Sequence, residues 1–229
     1  MGENEAFIGK GRDRKKLLVE GSDDANVCYH LLRIHHIAVK ERDTKKANDN
    51  SIEIATKNGV ENLLASLRVE LRDSRLASLG ILVDADEDIV GRWHSIRTTL
   101  IEKGYSTVPT DPDLEGTVIY ESDQPAVGIW IMPNNELPGM LEHFCRFLVP
   151  DDDCLWEHAE GIVQQVMQVD CRFPDPHVMK AQIHSWLAWQ DEPGKPLGQA
   201  ITKKFLDAQA PYAQQFIAWI CRLYGLNDK

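Results

Sequence analysis

Two short apolar runs, each stopped by a carboxylate, constrain this chain most. Leu17-Leu18-Val19 runs into Glu20-Gly21, and Leu79-Gly80-Ile81-Leu82-Val83 runs into Asp84-Ala85-Asp86. Runs of this length suit strands buried on both faces, as in parallel sheets covered by helices. If the two strands neighbour each other in one open sheet, Glu20, Asp84 and Asp86 converge at its carboxyl edge, where such folds place ligands. Carboxylates held that close repel, and a hard divalent cation such as Mg²⁺ is the usual relief. The pattern predicts a metal-dependent phosphoryl-transfer site.

The rest of the first half supports such a sheet. Helical periodicity runs through Asp23–His35, Val60–Arg72 and Ile89–Lys103, the last closed by Gly104. Ser51–Ala55 alternates as a strand does between the first two helices. Strand, helix, strand, helix implies parallel strands with right-handed crossovers. Thr117–Tyr120 and Ala126–Met132 then read as a hairpin, and Pro138 as the first turn of a helix through Leu141, Phe144 and Leu148. Beyond Asp151 only helices are predicted: Trp156–Val169, Val178–Trp189, Leu197–Asp207 and Tyr212–Tyr224. The expected organisation is an α/β domain over 1–150 and an all-helical extension over 151–229 packed on it.

Composition narrows the function classes. The chain has 229 residues, 43% hydrophobic and 27% charged, enough to bury a real core. No apolar stretch reaches the roughly eighteen residues of a membrane span. The stretch up to Lys16 lacks the apolar segment of a secretory signal, so a cytoplasmic protein without a membrane partner is expected. Five scattered cysteines without a CxxC pair favour neither zinc nor a disulfide framework. A net charge of −11 weighs against a protein that grips nucleic acid with its whole surface. Basic residues do cluster around Lys10–Lys16 and Lys40–Lys46, where Lys15 and Lys16 are candidate phosphate contacts. A solvated basic surface accounts for them equally well.

The candidate site residues differ in how far they resist simpler explanations. Gly21 lets the chain turn sharply from strand to helix, and Ser22, Asp23 or Asp24 can cap that helix. Glu20 ends a buried strand and has no capping task. Asp84 and Asp86, two apart, point the same way if the strand stays extended, and Asp88 can cap the helix that follows. Asp151-Asp152-Asp153 reads as linker and cap, because consecutive residues diverge. Lys180 and Lys195 could supply the positive charge a transferring phosphate needs. Trp186, Trp189 and Trp219 could stack on bases, although the apolar pattern around them favours a core role.

Glu-Gly after a first strand and Asp-x-Asp after a third resembles the Toprim domain of topoisomerases, bacterial primases, RecR-type recombination proteins and the overcoming-lysogenization-defect (OLD) nucleases. The chain is similar in particular to small stand-alone Toprim-like proteins labelled DUF3226. Their later segments resemble Trp130–Asn135, Pro138–Glu142, Lys180–Gln190 and Pro193–Gly198. The resemblance spans about Lys15 to Tyr224 and implies a Toprim, Rossmann-like, mostly parallel sheet flanked by helices. It also implies Glu20 as general acid/base or metal ligand, and Asp84 and Asp86 as ligands of Mg²⁺ or Mn²⁺. Asp24 and Glu142 are further candidate ligands, and Lys180 a candidate catalytic cation. The implied activity is phosphodiester cleavage by an OLD-like nuclease acting on nucleic acid, DNA in preference to RNA. No Walker A sequence occurs, so any ATPase would be a separate partner chain. The alternative is a Toprim-like module that binds nucleic acid or a protein without catalysis. A phosphoacceptor receiver domain fits less well, since its paired acids lie directly at the first strand.

Overall fold

The computed structural model describes residues 11–40 and 51–226. The basic residues Lys10, Arg42, Lys45 and Lys46 lie outside them.

The strands form where apolar runs are short and bounded by turns. β1 (Arg14–Val19), β2 (Ile52–Thr56), β3 (Leu76–Asp84), β4 (Thr117–Ile119) and β5 (Ala126–Met132) make one sheet in the order β2-β1-β3-β5-β4. All neighbours pair in parallel except β4, which runs antiparallel to β5 as the predicted hairpin. β1, β3 and β5 are central, so their apolar residues meet helices on both sides.

Alternation along each strand divides the core in two. Leu17, Val19, Leu82, Trp130 and Met132 face one apolar cluster, while Leu18, Ile81, Val83, Ile129 and Ile131 face another. The second is covered by α2 (Val60–Glu70) and α3 (Ile89–Glu102). The first is covered by α1 (Ser22–Ile34), α4 (Leu141–Arg146), α5 (Cys154–Val169), α6 (Val178–Leu187), α7 (Leu197–Thr202) and α8 (Pro211–Tyr224). The helices after residue 150 thus share one continuous core with β1, β3, β5 and α1. Trp186 and Trp219 are in that core, whereas Trp189 is largely exposed.

Local chemistry fixes the helix ends. The Asp88 side chain accepts from Gly91 N–H at 2.8 Å and starts α3. Asp153 accepts from Leu155 N–H to start α5, and its other oxygen accepts from Trp186 Nε1 at 2.9 Å, which ties α5 to α6. Two expected helices are shorter than their apolar pattern. Pro138 does not open α4; Gly139, at φ +140°, exchanges two backbone hydrogen bonds with Asp86, and the helix starts only at Leu141. α7 stops at Thr202 because the chain turns through Lys204 at φ +62°, short of Asp207.

Candidate functional site

Register decides where the acids meet. Val19 pairs with Leu82 and Asp84 with Met132, so Glu20 and Asp84 emerge side by side at the carboxyl edge. Asp84 N–H donates to Glu20 Oε1 at 2.9 Å. Asp24, in the first turn of α1, turns back and accepts from Gly21 N–H at 2.9 Å. Glu142, in the first turn of α4, completes the wall with Lys180 of α6, whose Nζ is 2.9 Å from Glu142 Oε1. These residues line a cavity of about 330 Å³ together with Ser22, Asp23 and Asn58. Glu142 is deeply buried and Lys180 half exposed, so the lysine head bridges the acids and solvent.

The electrostatics of this cavity centre on Asp84. Its Oδ1 is buried and accepts no hydrogen bond. Burial, and then the charges of Asp24, Glu20, Asp86 and Glu142, push its pKa up to about 8. Burial raises Asp24 to about 6 against the pull of its bond from Gly21. Glu20 is raised as well, chiefly by burial, with the bond from Asp84 N–H opposing. Lys180 is raised, mainly by its hydrogen bond to Glu142. Asp84 and Asp24 therefore keep their protons to higher pH than free carboxyls do.

Asp86 departs from the expected geometry. β3 ends at Asp84, and Asp86 takes the left-handed conformation at φ +51°, held by its backbone bonds to Gly139. Its side chain is 57% exposed and pairs with Arg92 Nη2 at 2.6 Å. The strand does not stay extended, so the premise that Asp84 and Asp86 point one way fails; the turn aims Asp86 at α3. Arg92 is the residue that sequence reasoning missed. Its Nε also donates to Asp84 O at 2.8 Å, so one guanidinium spans both acids of the motif. Its place one turn into the helix after Asp-x-Asp was the available signal.

The other basic candidates are elsewhere. Lys16 is buried in ion pairs with Glu70 at 2.8 Å and Glu53 at 3.5 Å. It precedes Glu20 by four strand residues, about 13 Å. Lys15 is half-buried, its pKa lowered by burial, and lies in the same early part of β1. Lys195 pairs with Glu192 at 2.8 Å and does not line the acid cavity. Of the nine residues named from sequence, Glu20, Asp24, Asp84, Glu142 and Lys180 come together; Asp86 borders them, and Lys15, Lys16 and Lys195 do not join.

The donors fit a hard divalent cation in kind: all are carboxylate oxygens, one of them buried and unbonded. Among the described residues, no three His, Cys, Asp or Glu side chains are gathered closely enough to hold one ion in this conformation. Glu20, Asp24, Glu142 and Asp86 are instead each committed to a neighbouring donor.

Fold and site define an α/β protein with a mostly parallel five-stranded sheet and a carboxylate-lined cavity at its carboxyl edge. The chain belongs to the DUF3226 family, described as proteins of unknown function, whose model matches residues 14–225. No curated protein and no solved structure matches it. No helix among the described residues is long and apolar enough to cross a membrane.

Proposed function

We propose that the chain is a Toprim-type, Mg²⁺-dependent enzyme acting on phosphodiesters, a nuclease related to the OLD enzymes. The observation that carries this reading is Asp84: a buried carboxyl with an unbonded oxygen, with four other acids near it at the edge of a parallel sheet. Glu20 and Asp84 would hold the cation, with Asp24, Glu142 and Asp86 as further ligands after small side-chain turns. Mg²⁺ or Mn²⁺, when bound, supplies positive charge to a phosphoryl oxygen and lowers the pKa of water.

The chain's own residues supply the remainder. Glu20, its pKa raised by burial, accepts the proton from the water oxygen that bonds phosphorus as the ester P–O bond breaks, and the leaving oxygen departs with the electron pair and takes a proton from solvent. Lys180, at the mouth of the cavity, offers ammonium hydrogens to the phosphate and is held there by Glu142. Arg92 fixes the backbone carbonyl of Asp84 and so the direction of its carboxyl. The acidic surroundings make nucleic-acid affinity dependent on bound cation.

The test is cleavage of plasmid and oligonucleotide with Mg²⁺ or Mn²⁺, alongside calorimetric titration with the metal alone. Wild type is expected to cut, and Glu20→Gln and Asp84→Asn to lose at least a hundredfold in rate. Folded wild type that neither cuts nor binds metal would overturn the reading and leave a binding module. Metal binding without cutting would point to a missing protein partner, such as a separate ATPase.

A further inference from the structure

A second and larger hollow, about 900 Å³, borders the acid cavity and shares Met140 with it. One wall is formed by the end of β3 and the first turns of α3, the other by the Pro138–His143 turn and the start of α6. Its size suits a small organic ligand.

Its lining combines features that no role described so far uses. Gln182 is 7% exposed, lines this groove, and its side-chain amide has no hydrogen-bond partner among the described residues. Around it are apolar surfaces from Met140, Met179, Val178 and Pro138. Thioethers of this kind pack well on flat aromatic rings. His143 also lines the groove. Its Nδ1 accepts from Met140 N–H at 3.2 Å, so the neutral ring carries its proton on Nε2 and is a donor.

Charge decides between ligand classes. The rim carries Asp86, Glu87, Asp88 and Asp175 against the single guanidinium of Arg92, itself paired with Asp86. Such a rim repels a run of phosphates but accepts an uncharged planar ring. An amide that both donates and accepts matches a base edge with a donor beside an acceptor, and adenine joins such an edge to a larger ring for the two thioethers to cover than a pyrimidine offers.

We propose that this groove is a nucleobase subsite, adenine by preference, with Gln182 reading the base edge between Met140 and Met179. The inference rests on the phosphodiester reading, because it places the substituent of the scissile phosphate next to the acid cavity. The substrate class that follows is a mononucleotide, or an unpaired nucleotide such as a single strand or a locally opened stretch of a plasmid presents.

The test separates the subsite from the chemistry. Adenosine and uridine, which carry no phosphate, are titrated into the full chain by calorimetry without divalent metal. Adenosine is expected to bind roughly tenfold more tightly than uridine. Gln182→Leu and the isosteric Gln182→Glu should erase that preference, with thermal melting verifying the fold of each. Glu20→Gln should leave it unchanged. Equal binding of the two nucleosides, or a preference that survives both Gln182 changes, would overturn the subsite even if the enzyme cuts DNA. A Gln182-dependent preference in a protein that neither cuts nor binds metal would keep the subsite and sink the nuclease reading. Competition by AMP alone would assign a free mononucleotide, and competition by single-stranded oligo-dA as well would assign a strand. Stronger competition by a blunt hairpin duplex than by the single strand would overturn the proposal.

Discussion

Asp84 makes stability and site chemistry oppose each other at a single residue. Its carboxyl titrates near 3.8 when free and near 8 in the folded chain. Between those values the folded state binds the extra proton, so unfolding free energy falls as pH rises. The metal-free protein is therefore expected to be more stable at pH 5 than at pH 8, with Asp24 adding to the same trend up to about pH 6. Asp84→Asn should flatten the profile and stabilise the metal-free protein at pH 8 by about 1–3 kcal/mol, or roughly 3–10 °C in melting temperature. Thermal melts across this pH range with chelator present check both statements. A mutant that melts below wild type at pH 8 would contradict them. Glu20 and Asp84 were legible in the sequence because an acid ending an apolar run has few structural tasks. The direction of Asp86 was not, since it depends on a left-handed residue and on Gly139, more than fifty residues away. The local pattern gave no hint either that Lys16 would be spent on Glu70 and Glu53.

At the level of elements, the strands followed from local apolar runs, whereas their neighbours did not. That β5 lies beside β3 is a long-range fact, and it creates a seat for α8. Gly80 of β3 and Gly128 of β5 are in register. A methyl group on Gly128 would come within 2.5 Å of Leu223 Cδ2, and one on Gly80 within 2.6 Å of Tyr224 Oη. The absence of side chains at these two points lets α8 drop onto the sheet, where Tyr224 Oη donates to Lys16 O at 2.7 Å. Gly128→Ala is expected to cost about 1–3 kcal/mol through overpacking. Chemical denaturation should report this as a lower midpoint at unchanged slope. A midpoint equal to wild type would mean that α8 shifts without loss. Helix lengths were over-read for a related reason: apolar spacing continues past Thr202, but the turn at Lys204 redirects it.

For the whole molecule, the question is whether the sheet can stand without the later helices. Residues of α5, α6, α7 and α8 bury the face formed by Leu17, Val19, Leu82, Trp130 and Met132. Trp130 packs edge-on to Phe216 and tilted to Trp219, both from α8. Removing everything after residue 150 would uncover this face, a patch far larger than soluble monomers tolerate. Such a fragment is expected to aggregate or to melt without a cooperative transition, as calorimetry or light scattering would register. A fragment with a sharp two-state melt would contradict this and mark residues 1–150 as self-sufficient. The sequence divided the chain at the point where strands give way to helices, which is a change in secondary structure and not a change of core.

The seat of α8 also has a consequence for the order of synthesis. Every strand that carries an acid is made by Met132, yet the sheet face beneath them closes only when Tyr224 arrives. At the usual pace of translation that interval is on the order of ten seconds. Throughout it the nascent chain displays Trp130, Leu82 and Leu17 without their cover, a natural ligand for a chaperone waiting at the ribosome exit.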